Sequence, residues 1–149
     1  GDLVTGGSPR YRLYATADTK VLAAAPLEQK FWENFCQAIG LAAEWRDDRR
    51  DPAGAIAAVA AIIAARPAVE WQQVLGGIDC CCSIVRSLEE ALADPHFRER
   101  GVFARMLANE RGEVMAALPV PVDPAFRAPA GTTARAPALG GDNDTVLDR

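Results

Sequence analysis

Residues 11–40 read YRLYATADTKVLAAAPLEQKFWENFCQAIG, and this stretch decides the fold. Its first part alternates in the manner of a strand, with Tyr11, Leu13 and Ala15 on one face. Residues 17–20 supply a turn, and residues 21–24 supply a returning strand. The pattern therefore predicts an antiparallel hairpin at the front of an α+β domain.

The second part of the stretch has the period of a helix. Pro26 suits the first turn of this helix and Gly40 suits its end. Glu28 falls in the predicted first turn, where the helix dipole favours an ionised carboxylate. That position alone indicates no more than a stabilised helix. The apolar face is formed by residues spaced by four: Leu27, Phe31, Phe35 and Ile39.

Further helices begin at capping residues and end at breakers. Asp51-Pro52 opens a helix that Pro67 ends, and a shorter helix containing Trp71 closes at Gly76-Gly77. Ser87 and Glu90 are spaced as a capping box, and Asp94-Pro95 starts another helical turn.

Three other segments have strand composition. Residues 78–85 predict a strand, and residues 102–107 and 113–117 predict a second hairpin around a turn at residues 109–112. The predicted fold class is thus α+β: a small domain with antiparallel hairpins and several helices.

The last part of the chain changes character at Pro119. Five prolines between residues 119 and 137 leave little room for a helix or a central strand before Thr145. An extended arm of this kind cannot bury itself, so we expect it to lie across another domain or subunit.

Charge and hydropathy exclude several classes of protein. The 149-residue chain has 16 Lys and Arg against 20 Asp and Glu, a net charge of -4, with no basic surplus for nucleic acid. No apolar run approaches the ~20 residues that cross a bilayer, and the start lacks the features of a secretory signal. We expect a cytoplasmic protein without membrane or nucleic-acid partners.

The residues able to carry chemistry are few. His96, the single histidine, follows a capping aspartate, which favours a structural role over that of a general base. The cysteines Cys80, Cys81 and Cys82 have no histidine nearby in sequence, so buried small hydrophobes are the favoured interpretation. Alternation would place Cys81 on the opposite face from the other two. No ligand spacing predicts a metal site.

Several stretches together resemble the C-terminal part of the CaiB/BaiF family, which comprises family III CoA-transferases and α-methylacyl-CoA racemase-like enzymes. Each match is weak singly, but their order and spacing over nearly the whole chain are specific. They are Gly6-Gly7-Ser8-Pro9-x-Tyr11 with Tyr14 and residues 16–18 (TAD), residues 25–32 (APLEQKFW), Asp79-Cys80 leading to Val85, residues 87–91 (SLEEA), residues 94–96 (DPH), Arg100-Gly101-x-Phe103, and residues 137–140 (PALG) before Val146-Leu147.

The resemblance implies a domain organisation. Residues 1–8 would be a linker from a large CoA-binding domain outside this chain, residues 9–118 a small α+β domain, and residues 119–149 the arm returning to the large domain. Two subunits would interlock as a homodimer. The family's catalytic aspartate and histidine would lie upstream of Gly1, so the segment is expected to be inactive alone.

The resemblance also implies a substrate class and one site residue. The full-length parent would act on acyl-CoA and carboxylic acids, with the coenzyme A thioester as substrate and no covalently bound cofactor. Glu28 matches the glutamate that racemase-like members direct at the catalytic histidine across the dimer interface. Departures at Thr19, Gln29 and Ile84 leave the choice between the two reactions open.

Three functions remain after the sequence alone. The first is the small domain of an enzyme that transfers CoA between carboxylic acids, and the second is the same domain of a 2-methylacyl-CoA racemase. The third is a free-standing interaction module, suggested by the Ala-rich run at residues 53–65 and by three tryptophans.

Overall fold

The computed structural model describes residues 3–118 and 120–147, which divide into two compact units, Gly1–Val85 and Arg86–Arg149. The outer ends of the predicted linker and arm (residues 1–2 and 148–149) and the boundary residue Pro119 lie outside the described residues. Gly1–Val85 contains a kinked helical turn, Leu3–Gly7, and then β1 (Arg12–Ala15), β2 (Val21–Ala24), α1 (Gln29–Ile39), α2 (Ala43–Arg46), α3 (Pro52–Ala64), α4 (Ala68–Leu75) and β3 (Cys82–Ile84).

The predicted first hairpin is confirmed, and β3 joins it to give an antiparallel sheet of order β1-β2-β3. Tyr14 lies opposite Leu22, and both side chains are almost wholly buried, whereas Leu13 on the other face is exposed. The Tyr14 hydroxyl donates to the Pro9 carbonyl oxygen at 2.9 Å, which satisfies the buried polar group. One face of the hairpin is therefore part of the core.

Helix α1 supplies the largest share of that core. Trp32, Phe35, Cys36 and Ile39 are buried on it, and Gly40 ends it in the left-handed conformation with φ of 71°. Helices α3 and α4 add Val59, Ile63, Trp71 and Leu75 to the same cluster. The start of α1 differs from the prediction, because Pro26 and Leu27 precede the helix and Glu28 is its N-cap.

The predicted strand over residues 78–85 is shorter in the structure. Cys82–Ile84 pair in register with β2, and Val85 N–H donates to the Val21 carbonyl oxygen at 2.8 Å. The residues before them do not continue the strand, because the chain turns through Ile78 and Cys81 has φ of 51°. The alternation assumed for the three cysteines therefore has no continuous strand to support it.

The second unit is described by itself. It contains α5 (Leu88–Ala93), α6 (Pro95–Glu99), β4 (Met106–Ala108), β5 (Val114–Ala116), a 3-10 turn at Pro124–Phe126, β6 (Thr133–Arg135) and α7 (Asn143–Val146). The predicted capping box is confirmed: Glu90 N–H donates to Ser87 Oγ at 3.2 Å and Ser87 N–H to Glu90 Oε2 at 2.9 Å. Strands β4 and β5 form the predicted second hairpin.

Strand β6 is an element that the sequence did not predict. It lies at the edge of a three-stranded sheet of order β5-β4-β6 and pairs parallel with β4. An edge position tolerates the surrounding prolines, because only one side of the strand has to donate hydrogen bonds. All three of its residues remain exposed. The proline-rich segment thus pairs its backbone without burying its side chains.

Within the described ranges, no helix by itself has the length and apolar character to cross a bilayer; α3 and α4 pass that test only as a pair bent by 108°.

The hairpin turn contains a residue in an unfavourable conformation. Thr19 has φ of 62°, in the left-handed region that disfavours a β-branched side chain. We expect Thr19→Gly to raise the free energy of unfolding by about 1 kcal/mol. Glycine removes the strain at this position, and the greater entropy of its unfolded backbone offsets part of that gain. Urea titration followed by tryptophan fluorescence measures it, since Trp32, Trp45 and Trp71 all belong to the first unit.

Ala17→Gly is the matched control, because Ala17 lies in the same turn and outside the left-handed region. It should give no gain in stability. Equal effects of the two substitutions would show that strain at Thr19 is not the cause.

Candidate functional site around Glu28

Glu28 lies where the chain passes from β2 into α1. Its backbone is extended, with φ of -74° and ψ of 147°, and its carbonyl oxygen accepts the N–H of Trp32 at 3.0 Å. The side chain is exposed and accepts no hydrogen bond from the helix amides. In α3 and α6, by contrast, the N-cap aspartates Asp51 and Asp94 do accept one. The carboxylate of Glu28 is therefore not used as a helix cap.

The segment before Glu28 is held by backbone hydrogen bonds. Ala25 N–H donates to the Cys81 carbonyl oxygen at 3.0 Å, and Leu27 N–H donates to the Ala25 carbonyl oxygen at 2.8 Å. These bonds attach the connection between β2 and α1 to the chain just before β3. The segment that precedes Glu28 is consequently fixed by hydrogen bonds.

Arg10 lies beside the start of α1 and bonds to both neighbours of Glu28. Its Nη2 donates to Gln29 Oε1 at 2.9 Å, and its Nη1 donates to the Leu27 carbonyl oxygen at 3.4 Å. The same guanidinium forms an ion pair with Asp48 at 2.7 Å and lies 5.1 Å from the centre of the Trp32 ring. A single buried cation thus joins three parts of the first unit.

A second attachment of α1 is exposed to solvent. Lys30 Nζ lies 3.1 Å from Asp79 Oδ2, and Asn34 Nδ2 donates to the Asp79 carbonyl oxygen at 2.8 Å. The Lys30 and Asp79 side chains are 72% and 64% exposed, so water screens this pair strongly.

Two depressions in the surface adjoin the connection on which Glu28 lies. A polar cleft of about 650 Å³ is lined by Arg10, Gln29 and Trp32 together with Glu33, Arg46 and Arg49. An apolar groove of about 510 Å³ runs along the exposed face of the hairpin, past Tyr11 and Leu13, and reaches Ala25. Residues on either side of Glu28 in sequence therefore line open, solvent-accessible surfaces.

His96 belongs to the second unit, whereas Glu28 and the cysteines belong to the first. Its backbone N–H donates to Asp94 Oδ1 at 2.9 Å, and its ring lies 5.8 Å from that of Phe97. These contacts fit a residue that helps to start α6.

Cys36, Cys80 and Cys82 are not activated thiols. Burial raises the pKa of Cys36 to about 12, and burial likewise raises the pKa values of Cys80 and Cys82. Cys80 is buried as predicted, but Cys81 is exposed, so the prediction is wrong for that residue. Within the described residues, no group of three His, Cys, Asp or Glu side chains is placed to hold a metal ion.

The sequence did not single out Arg10 or Asp48. The two residues are 38 positions apart, and neither belongs to a periodic pattern. The available signal was indirect: Arg10 is a charged residue between Pro9 and Tyr11, within a stretch that already resembled a known family.

The buried ion pair generates a stability prediction. The Arg10 and Asp48 side chains are only 10% and 9% exposed, so Asp48→Ala leaves a buried cation without its counterion. We expect a loss of about 3–5 kcal/mol in the free energy of unfolding of the first unit. Asp79→Ala removes an exposed partner and should cost at most about 1 kcal/mol. Equal losses in urea titrations would contradict the ranking.

The thiols generate a labelling prediction. At pH 8, Cys81 should react with iodoacetamide well before the other three, because it is exposed and burial keeps the others protonated. Peptide mass spectrometry of the native protein measures the order of modification, and labelling in urea is the control. Preferential modification of Cys80 would contradict the placement of these residues.

Comparisons with known proteins agree with the predicted family. The model of the CoA-transferase family III matches residues 2–143. A mouse protein named alpha-methylacyl-CoA racemase is 31% identical over 112 residues, which cover 68% of this chain and 28% of that protein. The human protein of the same name is 27% identical over 162 residues, covering 99% of this chain and 38% of that protein.

Solved structures share the fold. Rv3272 from Mycobacterium tuberculosis in an orthorhombic crystal form gives a TM-score of 0.57 at 20% identity, with 93% of this chain and 40% of that chain covered. A point mutant of the same protein gives a TM-score of 0.59 at 21% identity, covering 95% and 40%. The chain thus spans well under half the length of these relatives. Because the family model covers nearly all of its residues, the chain belongs to the CoA-transferase family III.

Proposed function

We propose that this chain is the small-domain part of a longer enzyme that moves the α-proton of a 2-methylacyl-CoA thioester. The observation that carries the proposal is the carboxylate of Glu28, which is exposed, unused as a helix cap and fixed at its backbone. The names of the mouse and human relatives favour this reaction over CoA transfer.

The chemistry requires a base near neutral pH. In the proposed enzyme a histidine outside this chain takes the α-proton, and the thioester carbonyl carries the resulting negative charge as an enolate. A carboxylate bonded to the second ring nitrogen holds the imidazole in the productive tautomer and stabilises the imidazolium that forms. An aspartic acid outside this chain returns a proton to the opposite face of the α-carbon, which inverts the configuration.

The position of Glu28 supports this role for its carboxylate. No described residue forms an ion pair with it, so its charge is available to a partner from outside the chain. Its carbonyl oxygen accepts the N–H of Trp32, and Arg10 bonds to the Leu27 carbonyl oxygen before it and to the Gln29 side chain after it. These contacts limit the directions in which the Glu28 side chain can point. A fixed carboxylate orients an imidazole with a smaller loss of entropy than a mobile one.

The proposal includes an interlocked homodimer. In that arrangement Glu28 of one subunit meets the base on its partner, and both surfaces beside it are open in the single chain. The predicted cytoplasmic location belongs to the proposal as well.

A second candidate is transfer of CoA between two carboxylic acids, which the family model's description favours. There an aspartate outside this chain attacks the acyl-CoA thioester and releases CoA as a thiolate. The thiolate then attacks the aspartyl carbonyl of the mixed anhydride, which gives an aspartyl-CoA thioester and releases the first carboxylic acid as its carboxylate. The second carboxylate reverses the two steps: it attacks this thioester, and the released thiolate takes its acyl group and frees the aspartate. Glu28 has no assigned part in this sequence.

Glu28→Gln in the full-length enzyme tests the proposal. Removing the negative charge should lower kcat for α-proton exchange roughly 100-fold, the lower end of what acid–base groups contribute. Exchange is followed by NMR as deuterium enters the α-position of a 2-methylacyl-CoA in D2O. Transfer of CoA to a free carboxylate is measured in parallel.

Glu70→Gln is the matched control, because Glu70 is an exposed glutamate in the first turn of α4. It should leave exchange unchanged. CoA transfer without proton exchange would establish the second candidate, and exchange that is unaffected by Glu28→Gln would remove Glu28 from the mechanism.

A further inference from the structure

We propose that Arg10 is a positioning residue for Glu28, and that Asp48 holds Arg10 in the orientation this requires. The inference rests on the proposed function, because it assigns Glu28 a task for which its direction matters. It adds two residues, Arg10 and Asp48, to a site for which only Glu28 had been predicted.

The hydrogen bonds of Arg10 fall on both sides of Glu28. One nitrogen donates to the Leu27 carbonyl oxygen at 3.4 Å, and another donates to the side chain of Gln29 at 2.9 Å. Leu27 and Gln29 are the residues directly before and after Glu28. Contacts of this kind restrict rotation of the backbone at the helix start and hence the direction of the Glu28 side chain.

Arg10 is itself fixed in three ways. Its Nε donates to both carboxylate oxygens of Asp48, at 3.1 and 3.0 Å, and its Nη2 lies 2.7 Å from Oδ1. The guanidinium also lies over the face of the buried Trp32. Planar pairing with a carboxylate and contact with an aromatic ring together define the plane of the guanidinium.

A stabilising role alone does not require this arrangement. A buried ion pair is often no better for stability than apolar residues of the same volume. The bonds to Leu27 and Gln29 satisfy donors of the buried guanidinium that Asp48 leaves free, and they do so at the two neighbours of the one acid that carries the proposed function. A positioning role for Arg10 explains why these two bonds are made at the neighbours of Glu28.

Arg10→Lys in the full-length enzyme is the test. Lysine keeps the charge opposite Asp48, so the fold is retained, but its point charge cannot bond to Asp48, Gln29 and Leu27 together. We expect kcat for α-proton exchange to fall about 10- to 100-fold, the effect of a small misplacement, with KM changed less than about twofold. Arg50→Lys, a change at an exposed arginine that the lining of the cleft does not include, should alter neither constant.

A double variant decides whether Arg10 acts through Glu28. In the Glu28→Gln background, Arg10→Lys should lower kcat by no more than about twofold, because there is no longer a carboxylate to direct. Losses that multiply, or an effect confined to KM, would overturn the inference.

Amide hydrogen exchange separates failure of the inference from failure of the proposed function. If the full-length enzyme exchanges no α-proton, the proposed function is wrong, and if Glu28→Gln leaves exchange at the wild-type rate, the role given to Glu28 is wrong. In either case Arg10 is judged on amide exchange in residues 25–31 alone. Arg10→Lys should speed amide exchange in that peptide about tenfold and leave residues 52–64 unchanged. Unaltered exchange at residues 25–31, or equal acceleration in both peptides, would overturn the positioning role.

Discussion

The ion pair between Arg10 and Asp48 joins residues 38 positions apart, and both side chains are removed from water. Burial of two charges costs several kcal/mol for each ion unless their bonding groups are satisfied. Here the guanidinium donates to a carboxylate, a backbone carbonyl and a side-chain amide. Since every one of these bonds needs its partner in place, the pair links the segment before β1, the start of α1 and the loop after α2.

The apolar core and the ion pair constrain α1 in different ways. Trp32, Phe35 and Ile39 determine which face of the helix is buried, but apolar contact has little directional preference. The bonds from Arg10 have definite directions and act at the first residues of the helix. The core therefore stabilises α1. The polar contacts define how the chain enters this helix and where the Glu28 side chain projects from the surface.

Local signals predicted most of the fold. Asp51-Pro52, the Ser87 and Glu90 capping box, and Gly40 were readable because each acts on residues within one helical turn. The sequence missed what depends on distant partners. Strand β6 forms through pairing with β4, and the Arg10–Asp48 pair is equally remote in sequence. Glu28 was found through a family resemblance, and its place as the N-cap depends on contacts that periodicity does not report.

Glu28 differs from Asp51 and Asp94, the acids at two other helix starts, because its carboxylate accepts no hydrogen bond from the helix amides. Asp51 and Asp94 each accept an amide hydrogen bond, so a neutral replacement there changes the stability of a helix. Glutamate is one methylene longer than the usual capping acids, and the Glu28 carboxylate stays in solvent. A substitution of Glu28 should therefore change the free energy of unfolding little. A buried cation nevertheless bonds to the residues directly before and after Glu28. These bonds therefore constrain the direction of a side chain on which the stability of the fold does not depend.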